Sequence, residues 1–129
     1  MDLDATTPIY IQIAEDIRRR ILIGDLLDGD QVMSTTQYAT TYRINPATAA
    51  KAFSALVDDG LLVKRRGIGM FIAQGAHARL IAQRRSDFID ARLAPLVEEA
   101  LALGLDPEEL VNAIRTLAAS RAHDPEEHR

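Results

Sequence analysis

Ser34-Thr35-Thr36-Gln37-Tyr38-Ala39-Thr40-Thr41-Tyr42-Arg43-Ile44-Asn45-Pro46-Ala47-Thr48 carries two helix starts separated by barely two turns of helix. Ser34 followed three residues later by Gln37 has the form of a capping box, in which each residue satisfies the other's backbone N–H. A short helix through Tyr42 then buries Tyr38, Ala39 and Tyr42. Arg43-Ile44 leaves room only for a tight connection. Asn45-Pro46 repeats the start signal: a side-chain cap, then a residue whose missing N–H costs nothing in a first turn. The third helix runs through Phe53 and Leu56 to Asp58-Asp59, and Gly60 stops it. Two helices joined by so short a turn read as a helix-turn-helix, with the second as recognition element.

Upstream, Thr7-Pro8 reads as another cap and first position, and Ile9, Ile13, Ile17 and Ile21 form a buried stripe as far as Gly24. Residues 25–32 read as a loop. Downstream, Leu61–Lys64 and Met70–Ala73 are two short apolar runs. Arg65-Arg66-Gly67-Ile68-Gly69 separates them, which predicts a hairpin with a glycine-bearing tip. Beyond Gly75 a long helix is expected to about Leu103, kinked or split by Pro95, because an interior proline removes a backbone hydrogen bond. Gly104 closes it. Asp106-Pro107-Glu108-Glu109 opens a last helix with a cap, a proline and acids at the positive end of the dipole. Residues beyond about Ala122 read as a disordered polar tail. The expected fold is mainly α with a small β-hairpin: a winged helix-turn-helix domain over residues 1–75, then a short α-helical dimerisation domain over 76–129.

Composition narrows the function. The chain has 129 residues, no cysteine, and three histidines that do not cluster. Thiol chemistry is excluded, and neither a metal nor a cofactor is expected. No apolar run is long enough to span a membrane and no secretory leader stands at the start, so a cytoplasmic location is expected. Net charge is −4, which by itself argues against nucleic acid. Distribution qualifies it: residues 1–75 carry 8 Lys and Arg against 9 Asp and Glu, and residues 76–129 carry 7 against 10.

The candidate double-stranded DNA contacts follow from position. Asn45, Ala47 and Thr48 stand at the recognition helix's first turn, with Lys51 one turn later. Ser34, Thr35 and Thr36 open the preceding helix, where N–H groups suit a phosphate. Lys64, Arg65 and Arg66 form a dense basic run in this half. They abut Gly67 and Gly69, which allow a narrow tip to approach a minor groove. Arg18, Arg19 and Arg20 read instead as a solvated helix end. In the second half two amphipathic helices carry more apolar surface than a lone pair hides. Leu80, Phe88, Leu96, Leu101, Leu110, Ile114 and Leu117 are therefore candidates for a homodimer interface. Arg84, Arg85 and Arg92 could together meet an anionic small-molecule effector, but salt-bridge spacing to Asp87, Asp90 and Glu98-Glu99 favours a solvated face. No paired acid and base or activated nucleophile supports an enzyme. The rival reading, a winged helix that binds a protein, would favour an aromatic or aliphatic anchor at the tip, where this sequence has Arg65-Arg66, with Ile68 as the only apolar side chain there.

Pro8-Ile9-Tyr10-Ile11-Gln12-Ile13, Gly24, Gly29-Asp30, Ser34, Ala39, Asn45-Pro46-Ala47-Thr48, Lys51-Ala52-Phe53, Leu56, Gly60-Leu61 and Arg65-Arg66-Gly67-Ile68-Gly69-Met70-Phe71-Ile72 together resemble the N-terminal domain of GntR-family bacterial regulators. The Asn45-Pro46 opening and the short helical remainder look most like the YtrA-type subfamily. The resemblance implies a winged helix-turn-helix, dimeric binding to an inverted-repeat operator, usually repression, and no large ligand domain. Met33 stands where the family usually has proline, Thr36 where it often has a DNA-contacting arginine, and Ala47 and Ala49 where Asn and Val are common. The absent arginine shifts the expected phosphate binding toward Lys64–Arg66.

Overall fold

A computed structural model describes residues 3–122, which fall into two compact units divided between residues 84 and 85. The expected disordered tail, with His123 and His128, lies outside the described residues.

The first unit contains α1 (Ile9–Leu22), β1 (Gln31–Val32), α2 (Thr35–Tyr42), α3 (Pro46–Asp58), β2 (Leu62–Arg65), β3 (Gly69–Ile72) and the opening of α4 (Ala76–Asp87). Its core takes Ile13, Ala14, Ile17 and Ile21 from α1, Tyr38 and Ala39 from α2, and Ala49, Ala52, Phe53 and Leu56 from α3. Leu62, Met70 and Ile72 come from the strands and Ala76 and Leu80 from α4. Ile9, read as part of the stripe, is exposed instead, and Ala14 fills the inner face.

The start of α1 also departs from the reading. Pro8 itself is the cap residue, with extended backbone, and Thr7 does not cap. The segment before it is tied by Asp4, whose Oδ1 accepts from Thr6 N (2.9 Å), Thr7 N (2.9 Å) and Thr6 Oγ1 (2.8 Å). The Thr6 hydroxyl and the Thr7 and Thr6 N–H groups hold the Asp4 carboxyl below its ordinary range.

The helix-turn-helix forms as its caps dictate. Ser34 Oγ accepts from Gln37 N and Gln37 Oε1 accepts from Ser34 N, both at 3.1 Å. Asn45 Oδ1 accepts from Ala47 N at 2.8 Å. Between them Arg43 sits at φ 54°, ψ 48°, the left-handed conformation that usually falls to glycine, and Ile44 N donates to Ala39 O at 2.9 Å to close α2. Tyr38 wedges the two helices apart from the solvent, 5.4 Å from the Phe53 ring and 4.6 Å from that of Tyr42. Its burial, then the Asp16 carboxylate, push its phenol up to about 12. Because a side chain with a Cβ loses about 1–2 kcal/mol in this conformation, part of it offset by glycine's freer unfolded chain, Arg43→Gly is expected to stabilise the fold by roughly 0.5–1 kcal/mol. Thermal or denaturant unfolding checks this; a destabilised variant would mean that the arginine side chain itself holds the turn.

The hairpin is shifted by one residue from its expected limits. Leu61 and Ala73 are buried flanks rather than strand residues, and Arg65 pairs with Gly69. Residues 25–32 are not all loop: β1 pairs antiparallel with β3 (Gln31↔Phe71, Val32↔Met70), giving a three-stranded sheet in the order β1-β3-β2. Gly29 N to Ile72 O and Ile72 N to Asp30 O, both 2.8 Å, lead the chain into it. Two residues are too few for an alternating pattern to be visible in sequence.

In the second unit a π-helical segment, Phe88–Leu93, precedes α5 (Ala94–Ala102), and α6 (Pro107–Ala122) follows Gly104. The interruption expected at Pro95 therefore appears one turn earlier. Pro95 can donate no N–H backward and its ring crowds the preceding turn, so the helix widens there and restarts with Pro95 in the first turn of α5. Asp106 Oδ1 caps α6 by accepting from Glu108 N at 2.8 Å. No helix among the described residues is long and apolar enough to cross a membrane.

Candidate nucleic-acid interface

Three pieces of the first unit meet around one open groove of about 580 Å³. The start of α2 contributes Ser34, Thr35 and Thr36; α3 contributes Ala50, Phe53, Ser54 and Val57; the hairpin contributes Lys64, Arg65 and Gly67 through Met70. Four forces place these groups. The capping box sets the start of α2, the Asn45 cap sets the start of α3, the buried face of α3 turns Ala50 and Ser54 outward, and cross-strand pairing fixes the hairpin.

The charge of the groove differs from that of the chain. None of its lining residues is acidic, whereas two are cationic. The acids of α1, and Asp59 just after α3, are used elsewhere. Glu15 pairs with Arg18 (3.3 Å) and Arg84 (2.7 Å), Asp16 with Arg19 (3.0 Å) and Arg20 (3.1 Å), and Asp59 with Arg18 (2.6 Å). Arg18–Arg20 are thus held by carboxylates, and the Tyr42 hydroxyl, with Asp16, raises the Arg20 pKa further. Among the described residues, the ion pairs of this unit leave out Lys64, Arg65 and Arg66. A net charge near zero therefore coexists with one locally positive surface, which is what phosphate binding requires.

The hairpin is a shaped tip. Strand alternation puts Lys64 on the same face as Leu62, Met70 and Ile72, and Arg65 on the opposite face, with its guanidinium 4.7 Å from the Phe71 ring centroid. Ile68 N donates to Arg65 O at 2.9 Å, closing the turn over Arg66 and Gly67. Gly69 has φ +142°, and a Cβ there would stand 2.7 Å from Gln31 Nε2. A side chain at this position would both strain the backbone and push Gln31 away.

The candidate residues are not all in one place. Ser34, Thr35, Thr36, Lys64, Arg65, Gly67 and Gly69 line the groove, and Arg66 is exposed at the tip beside it. Asn45, Ala47, Thr48 and Lys51 do not line it. Asn45 and Ala47 are exposed at the start of α3, Thr48 is half-buried, and the Lys51 ammonium lies 4.0 Å above the Tyr10 ring of α1. Ala50, Ser54 and Val57 were missed by the sequence reading, although they stand three, seven and ten residues after Ala47 on one helical face.

Of the expected interface residues, Leu80 requires correction. It is 1% exposed and packs in the first unit's core, since α4 turns it toward that core rather than outward. Phe88, Leu96, Leu101, Ile114 and Leu117 are exposed and Leu110 is half-buried. Ile89, Leu103 and Leu105 add exposed apolar surface that the sequence reading did not include in the interface. Arg84, read as one of three arginines for an anion, is engaged by Glu15.

Residues 9–72 match the family described as bacterial regulatory proteins, gntR family. The HTH-type transcriptional regulator YhcF of Bacillus subtilis is 32% identical over 87% of this chain and 91% of its own length. The HTH-type transcriptional repressor YtrA of the same organism is 30% identical over 92% of this chain and 91% of its own. The DNA-binding domain of AraR, solved in complex with its operator ORR3, superposes with a TM-score of 0.51 at 27% identity, covering 57% of this chain and 88% of that one.

Proposed function

The chain is a member of the GntR family, a YtrA-type transcriptional regulator with a winged helix-turn-helix DNA-binding domain, and on that premise we propose that it is a repressor that binds an inverted-repeat operator as a homodimer. The family and these relatives are transcriptional regulators, not enzymes. The observation that carries the finer reading is the acid-free groove joining the α2 start, the outer face of α3 and the basic hairpin. In this reading Ser34, Thr35 and Thr36 meet the backbone, as do Lys64, Arg65 and Arg66. Asn45, Ala47, Thr48 and Lys51 face the bases, and Gly67 and Gly69 let the tip enter a minor groove. The exposed apolar residues of the second unit, Phe88, Leu96, Leu101, Ile114 and Leu117 with half-buried Leu110, pair two copies. Repression is the role carried by the similar YtrA of Bacillus subtilis, a transcriptional repressor. A small-molecule effector is left with a weaker anion site than the sequence suggested, because Glu15 already holds Arg84.

The test is competition at physiological salt between a selected duplex and random DNA. The chain is expected to hold the former on the order of a thousandfold tighter. Thr48→Ala is expected to change the preferred bases at one position per half-site while lowering total affinity less than tenfold, read by sequencing the retained duplexes. An unchanged preference profile would remove Thr48 from base reading.

A further inference from the structure

The hairpin tip carries a side chain with no polar atom where a nucleic-acid contact is read. Ile68 is 65% exposed and is flanked by Gly67 and Gly69, so among residues 67–69 it alone projects a side chain beyond Cα. Its backbone is already committed: the N–H goes to Arg65 O, and the carbonyl accepts from Gln31 Nε2 at 3.2 Å. Gln31 lies on β1, across β3 from β2, and its side-chain amide holds the backbone of the tip. What residue 68 presents outward is therefore an aliphatic surface on a fixed mount.

We propose that Ile68 determines specificity by selecting A·T over G·C at the base pair beneath the hairpin tip, through exclusion of the guanine 2-amino group. The inference rests on the DNA-binding reading above and deepens it. In the minor groove A·T and T·A show only acceptors, whereas G·C adds the N2 amino group, which projects from the groove floor. A branched aliphatic side chain pressed onto that floor fits the A·T surface. Against G·C it meets an obstructing donor and strips it of water without supplying an acceptor. The neighbouring arginines reinforce this choice, because A·T-rich minor grooves are narrower and more negative.

Inosine separates this cause from every major-groove effect. An I·C pair offers the same major-groove edge as G·C but lacks the 2-amino group. The full chain is titrated with its selected duplex after each A·T pair in turn is changed to G·C and to I·C. At one position per half-site, G·C is expected to weaken binding about fivefold or more while I·C binds at least about fivefold tighter than G·C. In the Ile68→Asn variant, whose side-chain carbonyl can accept from the amino group, that difference is expected to disappear. Equal losses for I·C and G·C at every position would overturn the proposal, as would a difference that persists in Ile68→Asn. Both results would leave the preference for the selected duplex standing. A chain that held selected and random duplexes equally would overturn the DNA-binding reading and this inference together.

Discussion

Replacing Arg65 and Arg66 together by alanine is expected to weaken binding to every duplex, selected or random, by roughly tenfold to a hundredfold at physiological salt. The same change should reduce the slope of log K against log salt by about 1.8, since each phosphate contact releases about 0.9 counterion. Arg66 stands exposed at the tip, and Arg65 lines the groove while lying over Phe71. Neither is held by an acid among the described residues, so both charges are available to DNA. Arg18–Arg20 make the contrast: although equally dense in sequence, they are engaged by Glu15, Asp16 and Asp59, and their loss should leave the slope nearly unchanged. The Arg65→Lys, Arg66→Lys pair keeps the charge and should retain most of the slope. An unaltered slope in the alanine pair would remove the hairpin from the phosphate contacts.

The second large effect is expected from Phe88→Glu combined with Leu96→Glu. Both side chains are more than half exposed, and Ala100 is the one side chain in the described part of their unit that is buried. Covering such surface with a second copy removes it from water at about 25 cal/mol per Å² before association costs. Two carboxylates placed there would each have to be desolvated on pairing. Sedimentation should find monomers, and affinity for a two-half-site operator should fall about a hundredfold or more, because the second half-site no longer benefits from linkage to the first. Dimers that persist would move the interface elsewhere.

Much of this architecture was legible because it rests on local chemistry. Ser34 with Gln37 and Asn45 with Pro46 act within three residues of themselves, so their caps could be read directly and with them the helix-turn-helix. Features set by distant partners were less accessible. β1 exists because Gln31 and Val32 meet Phe71 and Met70 some forty residues later. Leu80 has the spacing of a surface stripe but is captured by the core of the first unit. The engagement of Arg84 by Glu15 spans 69 residues, and no local spacing rule anticipates it. The candidate site divides the same way. Its basic hairpin and capped helix starts were readable, while the outward face of α3 emerged only once the burial of Ala49, Ala52, Phe53 and Leu56 fixed the helix's rotation.

Selection of genomic fragments by the purified chain at physiological salt, with sequencing of what is retained, tests the central claim most directly. The account predicts enrichment of an inverted repeat whose half-sites lie about one helical turn, or a multiple of it, apart. Retention with no enriched sequence, or enrichment of a single unpaired half-site, would contradict a dimeric operator binder.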